Sequence, residues 1–207
     1  MGAATMKSPP EADTDSALML RVKQGDSAAF ASLVERYRQP VMNFVFRHLP
    51  DATEAEDLAQ VVFVQVWKSA PRYEPSARFS TFLFTVAKNL CLNELRRRSR
   101  HPASSLDRES EDGTEAFHQI PDRRLSSADE MAQSAELVEK VDSAIGALPE
   151  KQRTALLLCR EGELSYEEIA TVLSLSVQAT KSLIHRARES LKGRLKPYLK
   201  TGVWLET

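Results

Sequence analysis

The sequence predicts an all-α protein of two small helical domains joined by a flexible acidic linker. Three observations predict it. Apolar residues recur at i, i+3, i+4 and i+7 from about Asp15 to the arginine run ending at Arg100, and again from Gln133 onward. Between these stretches, residues 103–132 hold Pro, Ser, Gly and acids with few apolar side chains, the composition of a tether. Charge is also segregated: Ser105–Glu139 carries ten acids against three bases, and Lys181–Lys200 carries seven Lys or Arg against one Glu. The expected organisation is an arm over 1–13, a first domain over 14–102, the linker over 103–132, a second domain over 133–200 and a tail over 201–207.

With 207 residues, 42% of them hydrophobic and 28% charged, the chain is long enough for two such cores. A net charge of -1 excludes a uniformly basic binder, so any nucleic-acid face must be local. Cys91 and Cys159 are far apart and each lies in an apolar helical pattern, which argues against a disulfide framework or a zinc site and for a reducing compartment. No run of 18 apolar residues and no apolar signal core occurs, so the reading is cytoplasmic without membrane insertion. The four histidines are scattered, and no Ser, Cys or His has neighbours suited to nucleophilic catalysis. No catalytic residue, metal or cofactor is expected.

In the first domain, a short helix from Asp15 carries Leu18 and Val22 and stops at Gly25. Asp26 is placed to cap a second helix with the stripe Phe30, Leu33, Val34, Tyr37, Val41, Phe44 and Val45, and Pro40 inside it predicts a kink. The third helix opens with Asp51 and Glu54, a variant of the capping box. Its buried stripe is Ala55, Leu58, Ala59, Val62 and Val66. Val61, Val64 and Trp67 add apolar surface on a neighbouring face, and a helix greasy on two sides needs two partners. Prolines in Pro71–Arg78 then break the chain into a loop bearing Arg72, Tyr73 and Arg78.

Phe79–Arg100 is the stretch on which the first domain turns. Its apolar stripe is Phe79, Phe82, Leu83, Val86, Ala87, Leu90 and Cys91, with Ser80 as candidate N-cap and Phe79 with Phe84 as a hydrophobic staple. Thr85, Lys88, Asn89, Asn93 and Arg96 line the other face. Arg96, Arg97, Arg98 and Arg100 crowd its end, where cations suit the helix dipole but repel one another. A polyanion would relieve that repulsion and release counterions, and asparagines at i, i+4 can read base edges.

The second domain resumes with Leu137, Val141, Ile145 and Leu148, stops at Pro149, and continues through Glu150–Cys159 with Ala155, Leu156 and Leu158 inward. Ser165–Leu191 then has helix-turn-helix spacing: a capping box at Ser165 and Glu168, inward Ile169, Ala170 and Leu173, a turn at Ser174–Ser176, and a second helix with Val177, Thr180, Ile184 and Leu191 inward. Gln178, Lys181, Ser182, His185 and Arg186 face outward, able to meet bases or phosphates in a major groove. Arg188, Lys192 and Arg194 extend the positive surface.

Three segments in this order, AEDLAQVVFVQVW (Ala55–Trp67), FSTFLFTVAKNLCLNELRRR and LSYEEIATVLSLSVQATKSLIHRARESL, make the sequence resemble bacterial sigma factors of the extracytoplasmic-function group, the short members of the sigma-70 family. The resemblance covers about Asp15 to Tyr198. It implies a sigma-2-like helical bundle and a sigma-4-like helix-turn-helix domain. It also implies that Asp57, Leu58, Gln60, Phe63 and Trp67 hold core RNA polymerase against the clamp helices of its largest subunit, with the flap as a further contact. Asn89 and Asn93 match positions near the non-template strand of the promoter -10 element, and Lys88, Arg96 and Arg97 would take phosphates. Phe82 stands at the family's usual tryptophan position, and the loop with Tyr73 and Arg78 would trap an unstacked base. Gln178, Lys181, Ser182 and His185, with Arg186 on the backbone, would read the -35 element. The acidic linker would thread the polymerase's basic channel, and an anti-sigma factor would hold the protein inactive.

The sequence departs from the family pattern at Val61, where Glu is frequent, at Ser174, where the turn often has Gly, at Thr180 and Leu183, and at Cys159. The alternative is a two-domain helix-turn-helix regulator that acts without core polymerase, a role that has no need of the Pro71–Arg100 module.

Overall fold

The structure, a computed structural model, describes residues 14–49, 51–100 and 128–201. The expected arm, most of the expected linker and the tail lie outside the described residues. Eight α-helices follow one another in the described chain: α1 (Thr14–Lys23), α2 (Ser27–Phe46), α3 (Ala52–Ser69), α4 (Phe79–Arg100), α5 (Ala128–Gly146), α6 (Glu150–Arg160), α7 (Tyr166–Leu173) and α8 (Val177–Thr201). A single 3-10 turn, Ala70–Arg72, follows α3, and no strand occurs among the described residues.

Helix boundaries follow local chemistry. Asp26 accepts the Ala29 N–H at 3.0 Å and starts α2; Asp51 accepts the Glu54 N–H at 2.8 Å and starts α3. At Ser165 both halves of the capping box form: its hydroxyl accepts from Glu168 N at 3.2 Å while Glu168 Oε2 accepts from Ser165 N at 2.8 Å. Helix α2 runs through Pro40 as one element. Helix α5 begins at Ala128, ahead of the expected Gln133, because Ala, Glu, Met and Gln in the ADEMAQ run are strong helix formers and Asp129 suits the first turn.

Two expectations need correction. Helix α4 already begins at Phe79, so Ser80 lies inside its first turn and is not the cap. Burial of the Phe79 ring, 5.4 Å from that of Tyr37, fixes the entry, while the buried Ser80 hydroxyl has no hydrogen-bond partner among the described residues. In α6 the inward residue is Leu157 rather than Leu156, which is half-buried.

In the first domain α1, α2, α3 and α4 pack about Met19, Leu33, Phe44, Val62, Phe79 and Leu83. In the second, α5, α6 and α7 gather on α8 about Ile145, Leu157, Leu158, Ile169 and Ile184. The two cores touch: α4 lies against α7, and Phe84, fully buried, sits beside Gly162 in the α6–α7 turn.

Candidate nucleic-acid interface

Helix α4 divides into a buried stripe and a polar face, as its periodicity requires. Asn89, Asn93, Arg96 and Arg97 are exposed along that face. The arginine run itself is split between tasks. Arg98 turns inward to pair with Glu54 at the start of α3 and with Glu94, so it ties two helices together. Arg97 makes a two-pronged contact with Glu94, at 2.9 and 2.7 Å, which lowers the Glu94 carboxyl below its usual range through the hydrogen bond. Lys88 is half-buried, and its ammonium donates to the Val172 carbonyl at 2.7 Å; desolvation lowers its pKa.

The loop before α4 borders a cavity of about 410 Å³ lined by Gln65, Lys68, Arg72, Tyr73, Ser76 and Phe82. Tyr73 lies in the loop, as expected, and is buried. Its hydroxyl donates to Ser16 at 3.1 Å, its carbonyl accepts from Lys23 at 2.9 Å, and its ring meets Phe82 edge-on at 5.3 Å, so it serves as a wall of the cavity. Arg78 is exposed and lies 3.8 Å from Glu168 of α7.

Helix α3 presents a second surface. Asp57 and Gln60 are exposed beside Val61, Val64 and Trp67, which show 46%, 50% and 41% of their area. Trp67 leans edge-on against Phe30 at 4.9 Å, which fixes its ring while leaving one side open. Leu58 and Phe63 are half-buried against the core. Val61 and Val64 are exposed beside the residues of the expected set; their signal in the sequence was the second apolar face. An apolar stripe of this kind on a helix marks a docking surface.

The third surface belongs to α8. Ser176 caps it by accepting the Ala179 N–H at 3.2 Å, and Thr180, Ile184 and Ala187 are buried against the rest of the domain. Gln178, Lys181, Ser182, His185 and Arg186 are all exposed, as are Arg188, Lys192 and Arg194. Lys181 lies 5.8 Å over the Tyr166 ring, a cation–π placement that aims it from the start of the helix. Leu183, half-buried, packs on the core.

The remaining chemistry is structural. Among the described residues no group of three or more His, Cys, Asp or Glu could hold a metal ion. Cys91 is fully buried, and burial pushes its thiol up to about 12, which removes it as a nucleophile. No described helix is long and apolar enough to cross a membrane.

Comparison with known proteins agrees with this layout. Residues 33–101 match the model for sigma-70 region 2, and residues 139–191 that for sigma-70, region 4. The chain is 35% identical over 189 residues to the RNA polymerase sigma-H factor of Pseudomonas aeruginosa, covering 91% of this chain and 97% of that protein. It is 33% identical over 178 residues to the ECF RNA polymerase sigma factor SigW of Bacillus subtilis, covering 85% and 94%. Among solved structures it is similar to that of CnrH in complex with the cytosolic domain of CnrY, with a TM-score of 0.65 at 25% identity, over 89% of this chain and 99% of that one. The three faces, in the order in which the chain lays them down, thus sit on a member of the sigma-70 family: the chain belongs to the extracytoplasmic-function RNA polymerase sigma factors, which direct the polymerase to promoters and are not themselves enzymes.

Proposed function

We propose that this sigma factor divides its work among the three faces described above. The exposed stripe of α3, with Asp57, Gln60, Val61, Val64 and Trp67, seats the first domain on the clamp helices of core RNA polymerase, and Leu58 and Phe63 support it from beneath. Asn89, Asn93, Arg96 and Arg97 on α4 bind the non-template strand of the -10 element together with Lys88 and Arg78. The cavity walled by Tyr73 and Phe82 receives an unstacked base. Flipping a base costs a few kcal/mol, which stacking and hydrogen bonding in such a pocket offset, so strand opening needs no ATP. Gln178, Lys181, Ser182, His185 and Arg186 enter the major groove at the -35 element, with the flap of the polymerase beneath this domain and the acidic linker in its channel.

The observation that carries this reading is the exposure of three chemically distinct faces, apolar on α3, amide and guanidinium on α4, and basic on α8, on one chain. An anti-sigma factor is the proposed regulator, in the cytoplasm. The similarity to CnrH, whose structure is a complex with another protein's cytosolic domain, supports a protein partner there.

Runoff transcription with core polymerase tests the whole reading. Promoter-specific RNA chains are expected from the wild type, and Asn89→Ala should impair open-complex formation more than binding to polymerase. Failure to initiate at any bacterial promoter, together with tight dimeric binding to a palindromic operator without polymerase, would overturn it in favour of a duplex-binding regulator.

A further inference from the structure

One arginine at the end of α4 is held by only one of its edges. Arg97 meets Glu94, one turn earlier, through two parallel hydrogen bonds: Nε donates to Oε2 at 2.9 Å and Nη2 to Oε1 at 2.7 Å. A guanidinium carries five N–H donors in one plane. This contact uses the Nε hydrogen and one on Nη2, which leaves three along the edge formed by Nη1 and the far side of Nη2. Among the described residues that edge has no other partner. The Arg97 side chain is 60% exposed and that of Glu94 only 18%, so the carboxylate is the inner member of the pair and the guanidinium the outer one.

Glu94 is itself fixed from behind. Its Oε1 also accepts from Arg98 Nε at 3.3 Å, and Arg98 in turn pairs with Glu54 in the first turn of α3. Four charges of alternating sign therefore run from the start of α3 to the outer face of α4. The hydrogen bond between them holds the Glu94 carboxyl below its usual range and Arg97 above its own, so the pair stays ionised at neutral pH. Along the exposed face, Arg97 follows Asn93 by one turn and Asn89 by two, about 6 Å and 12 Å along the axis. A guanidinium edge with two nitrogens fits two oxygens of one phosphate.

We propose that Glu94 is a positioning residue for promoter binding: it clamps one edge of Arg97 so that the opposite edge forks onto a single phosphate of the non-template strand, in register with the asparagines. The inference rests on the assignment of Arg97 to the -10 strand. The clamp has already removed the rotamer freedom that an exposed arginine loses on binding. That gain outweighs the repulsion of a carboxylate which two arginines already neutralise.

Core polymerase loaded with the full chain, binding a single-stranded oligonucleotide with the -10 bases mapped by runoff transcription, reads the clamp. Each phosphate in turn is replaced by an uncharged methylphosphonate. In the wild type one linkage should cost about tenfold in affinity, the scale of a charge-assisted contact, and R97A should abolish that cost. E94A and the isosteric E94Q should each reduce it to about threefold while every other linkage keeps its full cost. E94A leaves Arg98 its pair with Glu54, so the tie between α3 and α4 stands. In an R97A background, adding E94A should change nothing at that linkage. An undiminished cost in both Glu94 variants overturns the clamp, even if overall affinity rises through loss of a carboxylate. Equal weakening at all linkages overturns it as well, since general loosening of α4 would act everywhere. If R97A relieves no linkage, Arg97 takes no phosphate and its -10 assignment fails; a linkage that answers to R97A but not to Glu94 leaves that assignment standing and removes the positioning role.

Discussion

Lys88 and Val172, 84 residues apart in the chain, meet through a 2.7 Å hydrogen bond that sets a lysine of the first domain on the open end of a helix in the second. The same contact gives a half-buried ammonium of the first domain its partner in the second. Domain seating therefore acts on a group proposed for nucleic-acid binding, and the expectations below follow from that and from the faces on either side.

On α3, the exposed and buried valines should behave as opposites. Val64, 50% exposed, can become Asp with a stability change within about 0.5 kcal/mol, yet polymerase affinity should fall. Val62→Asp, at a fully buried position, should unfold the first domain by burying an unpaired charge. Trp67→Ala should weaken polymerase binding by about 2 kcal/mol, the scale of an aromatic hot spot. Thermal melts alongside binding isotherms to core polymerase check all three.

Ser174 ends α7 in the left-handed region, with φ 55 and ψ 46. That conformation costs an ordinary residue about 1 kcal/mol and glycine nothing. Ser174→Gly should therefore stabilise the second domain by about 0.5 kcal/mol once the extra freedom of the unfolded chain is counted. A higher Tm, with -35 binding unchanged, is the expected result.

His48 gives the seating of the domains a pH dependence. Burial pushes its imidazole down from 6.5 to about 4, with the positive charge of Arg153 acting in the same direction. The other charged groups at this junction, Arg47, Asp142 and Glu161, are engaged with one another. The seating of the two domains, which holds His48 neutral, is favoured in full above pH 6.5, loses ground as pH falls from there toward 4, and loses no more from this residue below that. Energy transfer between dyes on R38C and K192C, one exposed position in each domain, should fall over that window, and His48→Gln should flatten the response.

The buried thiol makes a separate test of the first core. Cys91, held up to about 12, should resist alkylation in the native protein while the half-buried Cys159 reacts first, as peptide mass mapping would record. Rapid modification of Cys91 under native conditions would mean that α4 is not packed as described.

Much of this was legible in the amino acids because it is local. The Ser165 and Glu168 pair three residues apart announced a capping box, and both of its hydrogen bonds form. The two-sided apolar pattern of α3 announced a helix with an unpartnered face. What could not be read is long-range. Ser80 looked like a cap by residue type, but burial of the Phe79 ring against Tyr37 decided where α4 starts. The loop position of Tyr73 was legible but its burial was not, because the hydroxyl is held by Ser16, 57 positions earlier. The pairing of Arg47 with Glu161 has no local signal, since nothing in either neighbourhood points to a partner 114 residues away.

Glu168 spends its two oxygens in different directions: one closes the first turn of α7, the other faces Thr81 and Arg78 on the opposite domain. Any substitution of Glu168 consequently removes the cap of α7 and its tie to α4 together, so the start of that helix and the seam between the domains cannot be tuned independently through this side chain.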